Sequence, residues 1–272
     1  MTQQLTRSLT ELYGYAYLKA EEAGARPGVT WLIYQASDGI AFAEDVVNYF
    51  APPQGWWQTD VLACEQARGR VLDIGCGAGR HALLVAQAGH EVVGLEPSRD
   101  AVTVARRRGI DARCGGLPDL PDGLGTFDTF LLVGGGLHLL TLGDESGTAL
   151  ERLAAAANPG ACVVGTMVTE PGEQAETYRI RVQHEGRLTE WSEWSSAGVA
   201  VSPDDLADLA DGTGWVVEHI QHREQTYPAD IVSAEQLQAM DRDQAWTPPE
   251  SASQPQPLSS FLARLRLTGG QA

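Results

Sequence analysis

The run Val71-Leu72-Asp73-Ile74-Gly75-Cys76-Gly77-Ala78-Gly79-Arg80 constrains this chain more than any other stretch. It reads as a short buried strand, a glycine-rich turn and the first turn of a helix. A second strand-like run, His90-Glu91-Val92-Val93-Gly94-Leu95, ends on an acidic residue, Glu96. Together these make the nucleoside-binding layout of a doubly wound α/β sheet. Alternating glycines let the backbone turn sharply and approach a ligand, and a carboxylate about 20 residues on accepts hydrogen bonds from ribose hydroxyls. A pyrophosphate cradle uses Gly-x-Gly-x-x-Gly, whereas the spacing here is Gly-x-Gly-x-Gly. Asp73, just before the first glycine, would repel a pyrophosphate but suits a ligand that carries an ammonium group. It is not read as an ordinary surface carboxylate, because the strand it belongs to is expected to be buried on both faces.

The rest of the chain is read around that centre. Its 272 residues, 43% of them hydrophobic, suffice for one well-buried α/β domain with additions. No apolar run is long enough for a transmembrane helix, and Met1–Arg7 lacks the apolar core of a secretory signal. The four cysteines, Cys64, Cys76, Cys114 and Cys162, show neither zinc-site nor disulfide-framework spacing. A reducing cytoplasmic location and no metal are the expectations. A net charge of −17 argues against nucleic acid and anionic membranes as partners. The local run Arg106-Arg107-Arg108 reads as a helix end, where cations suit the dipole.

Strand–helix alternation predicts βαβ units. Strands are expected at 70–74, 91–95, 111–114, 127–133 and 161–168, with helices at 80–88, 98–108, 146–157 and 203–211. Strands at 215–220 and 261–267 would close the sheet as an antiparallel hairpin. Before this core, residues 4–20 show helical spacing, Ser37-Asp38-Gly39 is a turn, and 41–50 reads as a second amphipathic run. Residues 170–200 do not fit the alternation. Tyr178–His184 and Arg187–Val201 alternate about Glu185-Gly186, which predicts an inserted β-hairpin, either a wall of a pocket or a structural ribbon. The Pro/Gln/Ser-rich stretch 247–259 reads as a loop.

With Asp73, the helix after the glycines and Glu96 in place, the central string resembles motif I of class I (Rossmann-like) S-adenosylmethionine-dependent methyltransferases of the bacterial small-molecule type. Further segments that carry the resemblance are Glu91–Ser98, Thr126–Leu132, Leu153–Gly160 and Ser202–Glu218. The resemblance runs from Tyr49 to the C-terminus. It implies a seven-stranded, mostly parallel, doubly wound sheet with S-adenosyl-L-methionine as cofactor. The implied cofactor-binding residues are Asp73, Gly75, Cys76, Gly77, Gly79, Glu96, Pro97, Gly116, Leu117, Val133 and Gly134. It also implies a division into an N-terminal helical cap, 1–58, and a cofactor-binding domain, 59–272, with 170–200 as the inserted ribbon. The chain departs from the family pattern at Gly116, where an adenine-binding Asp is usual, and at Gly134-Gly135-Gly136, where many members carry a polar residue. Adenine contacts then fall to backbone around Gly116–Leu117.

Methyl transfer is an in-line displacement, so alignment and desolvation do most of the work, with a base where the acceptor is protonated. His138, after the fourth strand of the core, matches a histidine often found there in the family. It is the candidate for orienting or deprotonating the acceptor; as a lone histidine it also reads as a helix-start residue that satisfies backbone groups. The candidate acceptor walls are Tyr13, Tyr17, Tyr49, Trp56, Trp57, Trp191 and Trp194, all outside the common sheet. The expected activity is methyl transfer to oxygen, nitrogen or carbon of a small molecule, a secondary metabolite or modified peptide. Use of the bound cofactor without methyl transfer is the alternative, and a homodimer is compatible with the chain.

Overall fold

The computed structural model describes residues 7–144, 147–169, 177–196, 200–227, 230–243, 246 and 256–268. Ten longer strands are β1 (Thr30–Ala36), β2 (Ala41–Asp45), β3 (Arg70–Ile74), β4 (Glu91–Glu96), β5 (Asp111–Cys114), β6 (Phe127–Leu132), β7 (Ala157–Thr169), β8 (Thr177–His184), β9 (Trp215–Tyr227) and β10 (Gln256–Leu267). The helices are α1 (Leu9–Glu22), α2 (Gln58–Glu65), α3 (Arg80–Gln87), α4 (Arg99–Arg107), α5 (Ala149–Ala155), α6 (Pro203–Ala210) and α7 (Ala234–Asp243). None is long and apolar enough to cross a membrane.

Seven strands form the main sheet in the order β9-β10-β7-β6-β3-β4-β5. The ladders from β7 through β5 are parallel, and β10 pairs antiparallel with both β7 and β9. The closing hairpin is therefore the predicted one, with the last strand threaded between β7 and β9. It starts earlier than expected, at Gln256, so the end of the predicted 247–259 loop is strand and the rest lies outside the described residues. Val71, Leu72, Phe130, Leu131 and Val163 are all but solvent-free. Burial on both faces explains why these strands read as unbroken apolar runs.

A second sheet is antiparallel throughout and has β1 at its centre. β1 pairs with β2 along five residues and with β8 along all seven. Short edge strands at Arg187–Leu188, Ser195–Ser196 and Asp230–Ile231 complete it. One expectation is corrected here. The 41–50 run is not a helix: 41–45 is β2, followed by a 3-10 turn at Val46–Tyr49. Its Ala and Glu content favours a helix, but pairing with β1 and burial of alternate residues override that preference. The predicted hairpin about Glu185-Gly186 is present: its second arm pairs with β8 at Arg187–Leu188 and Ser195–Ser196, and the Thr189 and Ser192 amides donate to the Val182 and Ile180 carbonyls between them. The other edge of β8 pairs along its length with the N-terminal strand β1.

Helix α1 joins the two sheets. Ser8 and Glu11 close its N-terminus in a capping box. Leu12, Ala16, Tyr17 and Ala20 pack in one core with Leu32, Tyr34, Ile180 and Val182 of the second sheet and with Ala101 and Val104 of α4. Gly14 faces Ser98 so closely that an added methyl would collide with the Ser98 hydroxyl.

Candidate active site

The predicted cofactor residues gather at the C-terminal ends of the parallel strands, where doubly wound sheets place ligands. Gly75, Gly77 and Gly79 all adopt positive φ, at 74°, 52° and 81°. The turn is held by the amides of Gly75 and Cys76, which donate to the Leu95 carbonyl at 2.8 and 3.1 Å. An L-residue at these φ values is strained, so the alternating glycines are a requirement of the turn. Gly94 is needed beside it, because a Cβ there would stand 2.8 Å from Cys76 Sγ.

Glu96 ends β4 and is 8% exposed. Its two oxygens accept from the Gly77 amide (3.1 Å) and the Ser98 amide (3.0 Å). Burial raises its pKa, and these two amides partly offset the rise. Asp73, in β3, is 1% exposed. Burial raises its pKa to about 7, while the Ala82 amide of α3 and the Arg80 charge pull it down. Its Oδ2 is buried with no hydrogen-bond partner. A buried, unpaired carboxylate oxygen under a glycine turn is what a ligand ammonium would satisfy.

Pro97 follows Glu96, and a Cβ on Gly116 would meet only Pro97 Cδ, at 4.0 Å, so the space over Gly116 is open. Leu117 is half-buried and packs against the main core. After β6, Val133 is buried and Gly134 and Gly135 have positive φ. The Gly134 amide donates to Asp60 Oδ1 at 3.1 Å. The same oxygen accepts from Thr166 (2.6 Å), and Asp60 Oδ2 faces His81 Nε2 at 3.7 Å and Arg80 at 3.8 Å. Sequence reasoning did not find Asp60, since α2 carries no strong amphipathic signal.

His138 lies in the 3-10 turn Gly136–Thr141, half-buried, with Nδ1 2.9 Å from the Gly135 carbonyl. When Nδ1–H donates there, Nε2 is left as the acceptor. Its neighbour Leu139 reaches the glycine turn, 3.6 Å from where a Gly75 Cβ would stand.

Tyr13, Tyr17 and Tyr49 come together over that turn. The Tyr17 ring is 3.4 Å from where a Gly77 Cβ would stand. Its centroid is 4.9 Å from that of Tyr49 and 6.2 Å from that of Tyr13. The cluster also includes Tyr34 and Tyr178, together with Phe42 and Glu44, which the helical reading of 41–50 hid. Period-two alternation in Ala41-Phe42-Ala43-Glu44 was the available signal. Trp56 is buried close by, its ring edge-on to His81 at 4.8 Å and 5.5 Å from the Arg80 guanidinium. Trp57 is buried at the start of α2.

Trp191 and Trp194 are elsewhere, and their assignment to the same wall is corrected. They stack on Arg179, at 4.6 and 4.9 Å, and Trp191 also packs against Arg181. Arg179 and Arg181 alternate along β8 with Ile180 and Val182, which face α1, so the tryptophans cover the opposite face. The arginines of the 106–108 run are engaged in the fold: Arg106 and Arg108 donate to the Ala112 and Ala78 carbonyls, and Arg107 pairs with Glu21.

Residues 71–160 match the family model of the methyltransferase domain. No curated protein matches the sequence. Among solved structures, a Bacteroides fragilis S-adenosylmethionine-dependent methyltransferase bound to S-adenosylhomocysteine superposes with a TM-score of 0.60. The alignment covers 96% of this chain and 97% of that one, at 19% identity. The CcbJ methyltransferase of Streptomyces caelestis gives 0.51 at 17% identity, over 81% and 98% of the two chains. A Clostridium acetobutylicum S-adenosylmethionine-dependent methyltransferase gives 0.52 at 10% identity, over 82% and 95%. At these identities the likeness is one of fold. The family match spans β3 to the start of β7, about a third of the chain, and contains every cofactor-binding candidate named above, so this part of the chain is similar to a methyltransferase domain.

Proposed function

We propose that the chain methylates a small-molecule acceptor bound between the glycine turn and the aromatic cluster of α1 and the second sheet. The observation that carries this reading is the Tyr17 ring lying on the Gly77 turn. It brings a wall built outside the common sheet into contact with the cofactor-binding backbone. An aromatic wall of this kind encloses a compact ligand and keeps water from the transfer step.

The cofactor supplies a methyl group activated by its sulfonium charge. The residues present fit it: the orphaned Asp73 Oδ2 would take its ammonium group, Glu96 its ribose hydroxyls, and the open backbone at Gly116 and Leu117 its adenine. Cys76, Pro97, Val133 and Gly134 border the same strand ends. His138, oriented by the Gly135 carbonyl, is assigned to positioning the acceptor or receiving its proton. Acceptors of the secondary-metabolite or modified-peptide type suit such a site.

The test uses methyl-labelled S-adenosylmethionine with a dialysable small-molecule extract, a bulk transfer-RNA fraction and a bulk protein fraction as parallel acceptors. Label entering the dialysable fraction, with matching S-adenosylhomocysteine release, is the expected result. Label entering only RNA or protein would overturn the small-molecule reading.

A further inference from the structure

The aromatic cluster carries more chemistry than a hydrophobic wall requires. Tyr13 donates its hydroxyl proton to the Tyr34 oxygen at 3.1 Å. Tyr34 and Tyr49 hydroxyls lie 3.4 Å apart, and both reach Glu44 Oε2, at 3.5 and 2.9 Å. The rings come from four separate elements. Tyr13 and Tyr17 are on α1, Tyr34 on β1, Tyr49 on the turn after β2 and Tyr178 on β8, with Phe42 stacked on Tyr34 at 4.4 Å. Packing alone would be met by leucines and phenylalanines; five phenol rings gathered about one carboxylate present negative faces and one full negative charge.

We propose that the acceptor is an amine, bound as its ammonium ion by the Tyr13/Tyr34/Tyr49/Tyr178 faces and the Glu44 carboxylate, beside the cofactor turn. The proposal rests on the methyltransferase reading and narrows it to nitrogen. Ring faces attract cations through their quadrupoles, more strongly when desolvated. Burial holds the Tyr13, Tyr34 and Tyr49 hydroxyls well above their ordinary range, so they stay protonated. Arg80 lies beside the cluster, its guanidinium 5.5 Å from the Tyr49 centroid. It is tied to the Asn48 carbonyl (2.8 Å), His81 Nε2 (3.1 Å) and the Asp60 carboxylate (3.8 Å).

In the reaction the ammonium nitrogen first loses one proton to Glu44, which frees its lone pair. That pair forms the new bond to the methyl carbon as the carbon–sulfur bond breaks, and the sulfur keeps the electrons of the broken bond. The product is an N-methylammonium with a thioether.

The test measures binding with the cofactor site saturated by S-adenosylhomocysteine. The probes are choline and its neutral carbon isostere, dimethylbutanol. Wild-type protein is expected to bind choline about tenfold more tightly than the isostere, the scale of a partly desolvated cation–π site. Glu44→Gln and Tyr49→Phe should reduce that preference to about threefold or less while S-adenosylhomocysteine affinity is kept, which shows that the variants fold. Equal binding of the two probes, or binding of neither, overturns the proposal. So does label transfer to alcohols at a higher kcat/KM than to amines of the same skeleton. Failure of wild-type protein to bind S-adenosylhomocysteine would instead overturn the methyltransferase reading.

Discussion

Around the Gly75–Gly79 turn the parallel sheet presents mainly backbone, whereas the antiparallel sheet presents side chains. The first offers amides and carbonyls at strand ends, with Asp73 and Glu96 buried beneath them. The second offers tyrosines and Glu44 drawn from segments far apart in sequence: the nearest β1 and β8 partners, Ala36 and Tyr178, are 142 positions apart. A backbone-built site depends on a few glycines and on strand order, so it tolerates change elsewhere. A side-chain-built site can be rewritten residue by residue, which is how one cofactor sheet serves different acceptors. The difference predicts that substitutions in the first region disturb stability and cofactor binding together. Substitutions in the second should move acceptor chemistry and leave the cofactor in place.

The largest effect is expected where fold and cofactor share one group. Glu96→Ala leaves the Gly77 and Ser98 amides without their acceptor. At roughly 1–3 kcal/mol for each orphaned group, stability should fall by about 2–6 kcal/mol. Glu96→Gln keeps one acceptor oxygen and should cost about half as much. Urea unfolding beside S-adenosylhomocysteine titration checks both. Two variants as stable as wild type would mean that the glycine turn is not anchored by this carboxylate.

The same contrast explains what was legible in the sequence. The glycine turn, Glu96 and the parallel strands were readable because each is specified locally, by strand–turn–helix grammar within about 30 residues. The second sheet was not. Its central strand pairs with β8, whose partner residues are more than 140 positions away, as in Tyr34 with Ile180. Ala41–Asp45 has helix-favouring residues and becomes strand only because that sheet exists. Tyr13, Tyr17 and Tyr49 were named from their composition and place before the core. Glu44 and Tyr34 were not named, because their place in the same cluster depends on pairing that no local pattern encodes. Trp191 and Trp194 show the opposite failure: aromatic residues in the right segment whose alternation sends them to the other face.

Asp73→Asn should separate two effects that the parallel sheet combines. The folded pKa is about 7 against an ordinary 3.8, so between those values the folded protein holds a proton that the unfolded chain has lost. Stability from this group therefore declines as pH rises from about 4 through 7. Asn abolishes that decline and should make the cofactor-free protein relatively more stable at pH 8. It should also weaken cofactor binding by about 1.5–3 kcal/mol, the scale of a hydrogen bond between charged groups. In wild type, an ammonium beside Asp73 favours its ionised form, so binding below pH 7 should release a proton. Calorimetry in buffers of different ionisation enthalpy detects that release; its absence would remove Asp73 from the ammonium site.

Gly14→Ala probes the joint between the regions. The added methyl meets Ser98 Oγ, and Asp100 Cβ stands 3.1 Å away, so α1 must shift. Overpacking of this kind costs about 1–3 kcal/mol. Because Tyr17 is less than one helical turn further along α1, the shift should lower turnover more than S-adenosylhomocysteine affinity. Equal losses in both would show that α1 acts on the cofactor and not on the acceptor.

Trp194→Ala should have the smallest effect and bears on the corrected wall. Trp194 is 46% exposed and contacts Arg179 through a single cation–π pair. Such a pair at an exposed site is worth about 0.5–1 kcal/mol, and Arg179 keeps Trp191 and the Gln35 side chain as partners. Thermal unfolding should therefore fall only slightly. Turnover should stay at the wild-type rate, since the cluster around Glu44 is on the opposite face of β8. A tenfold loss of turnover without loss of stability would show that the far face of the second sheet reaches the acceptor after all. The side-chain-built site would then extend around both faces of that sheet, and the tyrosine cluster would be only one part of it.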